Sequence, residues 1–309
     1  MSEINFDPVT LTQSLVKCAS VTPKDEGALT VVENHLSAIG CDCHPLTFSG
    51  NNSYEVKNLF ATIGNEGKHF AYAGHTDVVP VGNENSWKYP PFSARIDDGK
   101  LYGRGSEDMK SSVACFISAA KRFVDKYKNI PGKISFIITG DEERDSVNGT
   151  PRILEWASKQ NYKFDHCLVG EPTSNKEIGD KIKIGRRGAI SFYIRVKGIQ
   201  GHTANAHLAE NAAHHLIRLL NDILDNPLDK GNENFLPSST QIATFDVGNP
   251  AQNIIPELAT ATVNIRFNDM HTSDSLVNWM EGKIKDTFKN VTNASCQFTY
   301  DSTAESFLN

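Results

Sequence analysis

The sequence predicts an α/β fold in two parts: a mostly parallel sheet with helices on both faces over residues 1–187, then a ferredoxin-like α+β domain over 188–300. Three observations carry this. Strand-like and helix-like stretches alternate in the first part, the pattern of parallel strands joined by helical crossovers. After Gly188 the rhythm changes to β-α-β-β-α-β, the order of the split βαβ unit. The length, 309 residues, suits two domains at about 150 residues each.

Taken in order, the first part shows a polar–apolar helix around 10–19, another around 28–39, and a short apolar strand, 69–73, that ends at Gly74. Over 109–127 the residues Met109, Val113, Phe116, Ala120, Phe123, Val124 and Tyr127 keep helical spacing. Strand 133–138, helix 150–160 and strand 166–169 complete it. In the second part, 190–197 alternates as a strand, 208–224 is helical, 241–247 and 259–267 are strands, 273–289 is helical and 295–300 is a strand. Residues 301–309 are expected to begin a closing return of the chain to the first domain.

Composition narrows the function classes. With 39% apolar residues, no repeat and no low-complexity tract, disorder, collagen and coiled coil are excluded. No stretch approaches the roughly 18 apolar residues of a membrane span. The net charge is −6 and no basic run reaches the five to eight residues of a nucleic-acid patch, so neither nucleic acid nor membrane is expected as a partner. The opening MSEINFDPVTLTQ has no basic n-region and no apolar h-region, which makes a cytoplasmic location the default. Six scattered cysteines without a C-x-x-C pair read as reduced thiols, and the Cys41-Asp42-Cys43 run reads as strand rather than metal site. A small-molecule enzyme is the leading class.

Acidic or imidazole clusters follow the strands of the first part directly: Gly74-His75-Thr76-Asp77, Gly140-Asp141-Glu142-Glu143 and Gly170-Glu171-Pro172. In open α/β sheets the carboxyl ends of strands line the ligand crevice, so separate strands deliver these side chains to one place. Asp108 adds another carboxylate ahead of the helix at Met109. Singly, each has an ordinary reading: H-x-D a hydrogen-bonded turn, Asp108 an N-cap, Glu142-Glu143 a solvated acidic turn. Gathered together, like charges repel unless cations neutralise them, and one His with several carboxylates suits zinc better than calcium or magnesium. Neighbouring side chains on extended backbone point to opposite sides, so one of Glu142 and Glu143 can bind metal while the other faces substrate as general base. Asp77 is placed to accept the second imidazole N–H of His75.

The runs GHTDVVPVG, WKYPPFSARIDDGKLYGRGSEDMKSS, TGDEERDSVNGT and LVGEPTS resemble the co-catalytic zinc aminoacylase and deacylase metallopeptidase family. The stretch KIGRRGAISFYIRVKGIQGHTANAHLAENAAHH, with NIIP and NIRF, is similar to its desuccinylase branch. The resemblance implies a zinc-exopeptidase-like catalytic domain with the second domain inserted as a lid and dimerisation domain. It implies hydrolysis of N-succinyl-LL-2,6-diaminopimelate in lysine and diaminopimelate biosynthesis, with acetylornithine deacetylation as the rival chemistry. It also implies two zinc ions per subunit, for which cobalt substitutes: His75 and Glu171 on one, Glu143 on the other, Asp108 bridging, and Glu142 as general base. His202 would reach an active site across a homodimer interface to stabilise the oxyanion. Arg186, Arg187, Ser191, Asn253 and Arg266 would hold the substrate's carboxylates, for which the guanidinium fork is suited.

Family members continue into a closing segment with a Gly-rich substrate loop and a final His ligand, around where this sequence stops. The Glu143 site is therefore expected to be weakened. The alternative from another class is a metal-binding or dimerising relative that no longer catalyses.

Overall fold

The computed structural model of the protein describes residues 4–50, 52–127 and 129–309. Its first helix starts where side-chain chemistry allows: the Asp7 carboxylate accepts the Thr10 N–H at 2.8 Å, and Pro8 occupies the first turn, where its missing N–H costs nothing. The chain folds as two compact units, Met1–Asn175 and Lys176–Asn309, so it divides ahead of the expected boundary at 187/188.

In the first unit α1 (Pro8–Lys17) and α2 (Ala28–Ala38) precede a hairpin of β1 (Asp42–Gly50) and β2 (Ser53–Gly64). Then follow β3 (His69–His75), α3 (Lys110–Lys126), β4 (Lys133–Thr139), α4 (Thr150–Lys159) and β5 (His166–Val169). The strands lie in the order β1-β2-β4-β3-β5. The β4-β3 and β3-β5 pairs are parallel, as the βαβ rhythm requires, whereas β1-β2 and β2-β4 are antiparallel, so the sheet is mixed. Of the hairpin, the sequence reading has only the strand character of the Cys41-Asp42-Cys43 run, of which Asp42 and Cys43 begin β1. Strand β1 lies at the sheet edge, carries Pro45 and buries no residue, so it lacks the apolar alternation that marks a strand.

Helices cover both faces. Leu59, Tyr72, Phe136 and Ile138 pack with Leu11 and Leu15 of α1, Val32 and Leu36 of α2, and Val113 and Ile117 of α3. On the other face Phe60, Ala71 and Ile137 meet Ile153 and Ala157 of α4. The register sets His75 beside Thr139 and Ala73 beside Val169, so the segments leaving β3, β4 and β5 emerge at one edge.

The second unit contains β6 (Gly188–Lys197), α5 (Ala212–Asp225), β7 (Ser239–Asp246), β8 (Leu258–Phe267), α6 (Ser273–Phe288) and β9 (Ser295–Ala304). Its sheet, ordered β7-β8-β6-β9, is antiparallel throughout, and this is the ferredoxin-like arrangement. Ile190, Phe192, Ile194 and Val196 of β6 pack against Leu216, Leu219 and Ile223 of α5 and Leu276 and Met280 of α6. Alternate residues Tyr193, Arg195 and Lys197 are exposed on the opposite face. Residues 301–304 continue β9, and Phe307–Leu308 pair with Gly185–Arg186, so this stretch belongs to the second unit.

Candidate metal centre

His75 ends β3 with its side chain buried. Its Nδ1 lies 2.9 Å from the Asp77 backbone carbonyl, which only accepts, so Nδ1 carries a proton and Nε2 is the ring nitrogen turned toward the carboxylates. Nε2 faces Asp108 Oδ1 at 3.2 Å, Glu171 Oε1 at 3.6 Å and Glu142 Oε2 at 3.8 Å. Glu143 joins through a second grouping, with His75 and Asp108, whose ligand atoms all lie within 4.8 Å of one another; His75, Glu142 and Glu171 form the other such group. Asp108 does not serve as the N-cap of α3: that position falls to Met109, and no side chain caps the helix.

Residues 142–144 form a bend rather than extended backbone, and so Glu142 and Glu143 both reach the cluster. Asp77 holds this bend. The expected bond from its carboxylate to the imidazole is long, 3.5 Å from Oδ1 to Nδ1, since the Asp77 carbonyl takes that proton. The carboxylate instead accepts the backbone N–H groups of Glu142 and Glu143, each at 3.2 Å. Successive amides aimed at one anion make a small anion-binding concavity, here filled by a side chain of the protein itself.

The charges are poised for a cation. Burial, with Asp108 and Glu142 adding to it against the pull of His75, pushes the Glu171 carboxyl up to about 7. Burial also raises Glu143, again with Asp108 and Glu142 nearby. Burial opposes a charged His75, yet its hydrogen bonding to Asp77 and the charges of Asp77 and Glu171 prevail and raise it to about 9. Asp77 is buried too, but the His75 imidazole beside its carboxylate and the hydrogen bond from Thr22 hold it below the usual carboxylate range. One imidazole among so many carboxylates retains protons that a divalent cation would displace, and the nitrogen-and-oxygen donor set fits zinc.

Supporting residues come from segments in which the sequence shows no chemistry. Tyr54, on β2, donates to the Asp141 carboxylate and accepts the Asp145 N–H at 3.1 Å, which ties down the loop carrying Glu142 and Glu143. Lys110 is fully buried, and its Nζ donates to the carbonyls of Leu15 at 2.9 Å and Cys18 at 2.8 Å; burial brings its pKa down to about 8. The signal for Lys110 was its place on the apolar helical row Lys110-Ala114-Ile117. Tyr54 gave none, because its partner lies 87 residues away.

The remaining candidates lie in the second unit. Pairing of Gly201–His202 with Ile254–Ile255 brings His202 Nε2 to 3.4 Å from the Asn253 carboxamide. His202 Nδ1 accepts the Ala204 N–H at 3.0 Å, and the Asn253 atom facing Nε2 is Nδ2. Ser191 receives a 2.9 Å hydrogen bond from Asn264, directly across the β6-β8 ladder, and Arg266 follows Asn264 on the same strand face. Arg186 and Arg187 are both exposed, beside the short pairing with Phe307–Leu308.

The pattern of Peptidase family M20/M25/M40 matches residues 71–307. The chain is 48% identical over 277 residues to a succinyl-diaminopimelate desuccinylase of Parvibaculum lavamentivorans, a match covering 90% of this chain and 70% of that protein. It is 50% identical over 274 residues to the Ehrlichia canis protein of the same name, covering 88% and 71% respectively. Among solved structures, aminopeptidase PepT of Bacillus cereus aligns with a TM-score of 0.74 at 18% identity, over 99% of this chain and 78% of that one. The Bacillus subtilis YXEP protein, described as a dinuclear metal-binding peptidase, aligns with a TM-score of 0.61 at 14% identity, over 98% and 75%. At such identities the structural likenesses speak for the fold, whereas the family match takes in His75, Asp108, Glu142, Glu143 and Glu171 and reaches into both units. The chain belongs to Peptidase family M20/M25/M40.

Proposed function

We propose that this metal-dependent hydrolase cleaves the succinyl amide of N-succinyl-LL-2,6-diaminopimelate, adding water and releasing succinate and LL-2,6-diaminopimelate. The carrying observation is the convergence of His75 Nε2 with carboxylates of Asp108, Glu142 and Glu171 at 3.2–3.8 Å. The half-identical relatives named for this reaction support the substrate.

His75, Asp108, Glu143 and Glu171 would hold the metal, zinc in our reading, with cobalt able to replace it. A bound divalent ion supplies Lewis-acid polarisation of the scissile carbonyl and a water acidic enough to ionise near neutral pH. Glu142, half exposed, takes the proton of the attacking water and returns it to the leaving amine. Asp77 keeps His75 in the Nδ1–H tautomer through its carbonyl and shapes the Glu142–Glu143 bend through its carboxylate. His202 donates to the developing oxyanion, and Arg186, Arg187, Ser191, Asn253 and Arg266 bind the substrate's carboxylates. We place the enzyme in the cytoplasm as a homodimer formed through the second unit. His75 is the imidazole in both candidate metal groups among the described residues, so one cation binds tightly and a second, held by carboxylates, more weakly.

Hydrolysis of N-succinyl-LL-2,6-diaminopimelate is measured with added zinc or cobalt, beside N-acetylornithine and the Glu142→Ala variant. The succinyl substrate should be turned over, and Glu142→Ala should lower kcat by roughly 10²–10⁴-fold while metal uptake persists. Turnover of N-acetylornithine alone would move the chain to the deacetylase branch. A folded, metal-loaded protein inert toward both would overturn the assignment.

A further inference from the structure

We propose that Thr22 is a positioning residue for the metal centre: its hydroxyl fixes the Asp77 carboxylate, which in turn sets the Glu142–Glu143 bend. This rests on the metal-centre reading above. Thr22 Oγ1 lies 2.7 Å from Asp77 Oδ2 and 3.4 Å from the Val78 carbonyl oxygen. A hydroxyl has a single proton to give, and the shorter contact to a charged acceptor takes it. Both residues are buried, Thr22 at 8% exposure and Asp77 at 1%, so water does not substitute freely for the missing donor if the hydroxyl is lost.

The Asp77 carboxylate is shared between tasks. Oδ2 faces the Glu142 and Glu143 amides at 3.2 Å, and Oδ1 faces the Glu142 amide at 3.2 Å with His75 Nδ1 at 3.5 Å. A carboxylate turns about its Cβ–Cγ bond unless its oxygens are held, and turning would release the bend that aims Glu142 and Glu143. Thr22 supplies a donor from a separate segment, and that segment is itself fastened. Ser20 Oγ donates to the Thr76 carbonyl at 2.6 Å, the Val78 N–H to the Ser20 carbonyl at 2.9 Å, and the Thr22 N–H to the Val78 carbonyl at 3.2 Å. Lys110, at the start of α3 and two residues beyond Asp108, donates to the Cys18 carbonyl at 2.8 Å. The stretch from Cys18 to Thr22 thus links the loop after β3, the start of α3 and, through Asp77, the loop after β4.

The test separates the hydroxyl from the shape of the side chain. Thr22→Val keeps the shape and loses the donor; Thr22→Ser keeps the donor and loses a methyl group. Zinc and cobalt affinities of the full chain are measured by competition with a chromophoric chelator, along with the visible absorption of the cobalt form, kcat and KM. Loss of a partner behind the ligands weakens metal binding by about 10–100-fold, and Thr22→Val should show about a tenfold loss, a changed cobalt spectrum and a lower kcat at nearly constant KM. Thr22→Ser should stay near the unmodified chain. Thr22→Val matching the unmodified chain, or Thr22→Ser impaired as much as Thr22→Val, overturns the proposal. Should Thr22→Val not fold, Thr22→Ser decides by the same affinity measurement: near-normal binding upholds the role of the hydroxyl, and a tenfold loss removes it. Failure of the unmodified chain to take up either metal would instead refute the metal-centre reading itself.

Discussion

Among single residues, Asp77 shows what sequence spacing reaches and where it stops. The interval between His75 and Asp77 pointed to a contact, and one exists, but the backbone carbonyl makes it and leaves the carboxylate for the Glu142 and Glu143 amides. Side-chain spacing does not reveal that a main-chain group will compete for the same proton. Asp229 in the second unit carries a pH prediction. Its side chain, 2% exposed, accepts from Gly231 N–H at 2.7 Å, Asn268 Nδ2 at 2.8 Å and His271 Nε2 at 3.0 Å. Burial works to raise its pKa, but the hydrogen bonds of Ser238, Gly231 and Asn268 outweigh it and hold the group at about 2, below the ordinary aspartate value of 3.8. A depressed carboxylate stabilises the fold above its unfolded pKa and loses that contribution as pH falls from about 4 to about 2, a difference on the order of 2 kcal/mol. Asp229→Asn should therefore lower urea stability by about this amount at neutral pH and flatten its decline between pH 4 and pH 2. An identical acid decline in both proteins would count against this role.

At the scale of elements, the helices and the strands with strong periodicity were legible within a few residues. Helix 109–127 appears as Lys110–Lys126, strand 133–138 as Lys133–Thr139, and strand 166–169 as observed. The β1-β2 hairpin was legible only at the Cys41-Asp42-Cys43 run, because β1 is an edge strand that faces solvent and buries no residue. The junction of β5 with Glu171 is tightly packed. A Cβ added at Gly170 would press on Tyr72 Oη and Ser112 Oγ and lie 2.7 Å from Met109 Cε. Gly170→Ala should cost about 1–3 kcal/mol by overpacking and also weaken metal binding, because Glu171 is the next residue. Thermal melting and a metal titration check both, and normal metal affinity in a destabilised variant would mean that the strain relaxes away from Glu171.

For the whole molecule, each unit has its own apolar core, one built on the mixed sheet and the other on the antiparallel sheet. Phe192 is fully buried in the second core. Phe192→Ala should destabilise that unit by about 3–5 kcal/mol through cavity formation and leave the metal affinity of the first unit unchanged. Amide exchange over β6 and β8, with a parallel metal titration, tests this; a matched loss of metal affinity would refute the separation. The split βαβ order was legible in the sequence because its alternation of periods is local to each element. The division at Asn175, ahead of 187, was not, since it depends on which contacts the connecting residues make.

The sequence by itself determined the two-part α/β and ferredoxin-like architecture, the strand-end positions of His75, Glu142, Glu143 and Glu171, and the family resemblance. Periodicity and turn residues encode elements locally, and in an open α/β sheet the ends of strands converge whatever the details of packing. Only the tertiary structure decided which proton His75 keeps, that Glu142 and Glu143 leave extended backbone together, and that Thr22, Tyr54 and Lys110 brace the centre. Those outcomes rest on hydrogen bonds across 55 residues between Thr22 and Asp77 and 87 between Tyr54 and Asp141, separations at which a linear pattern carries no signal.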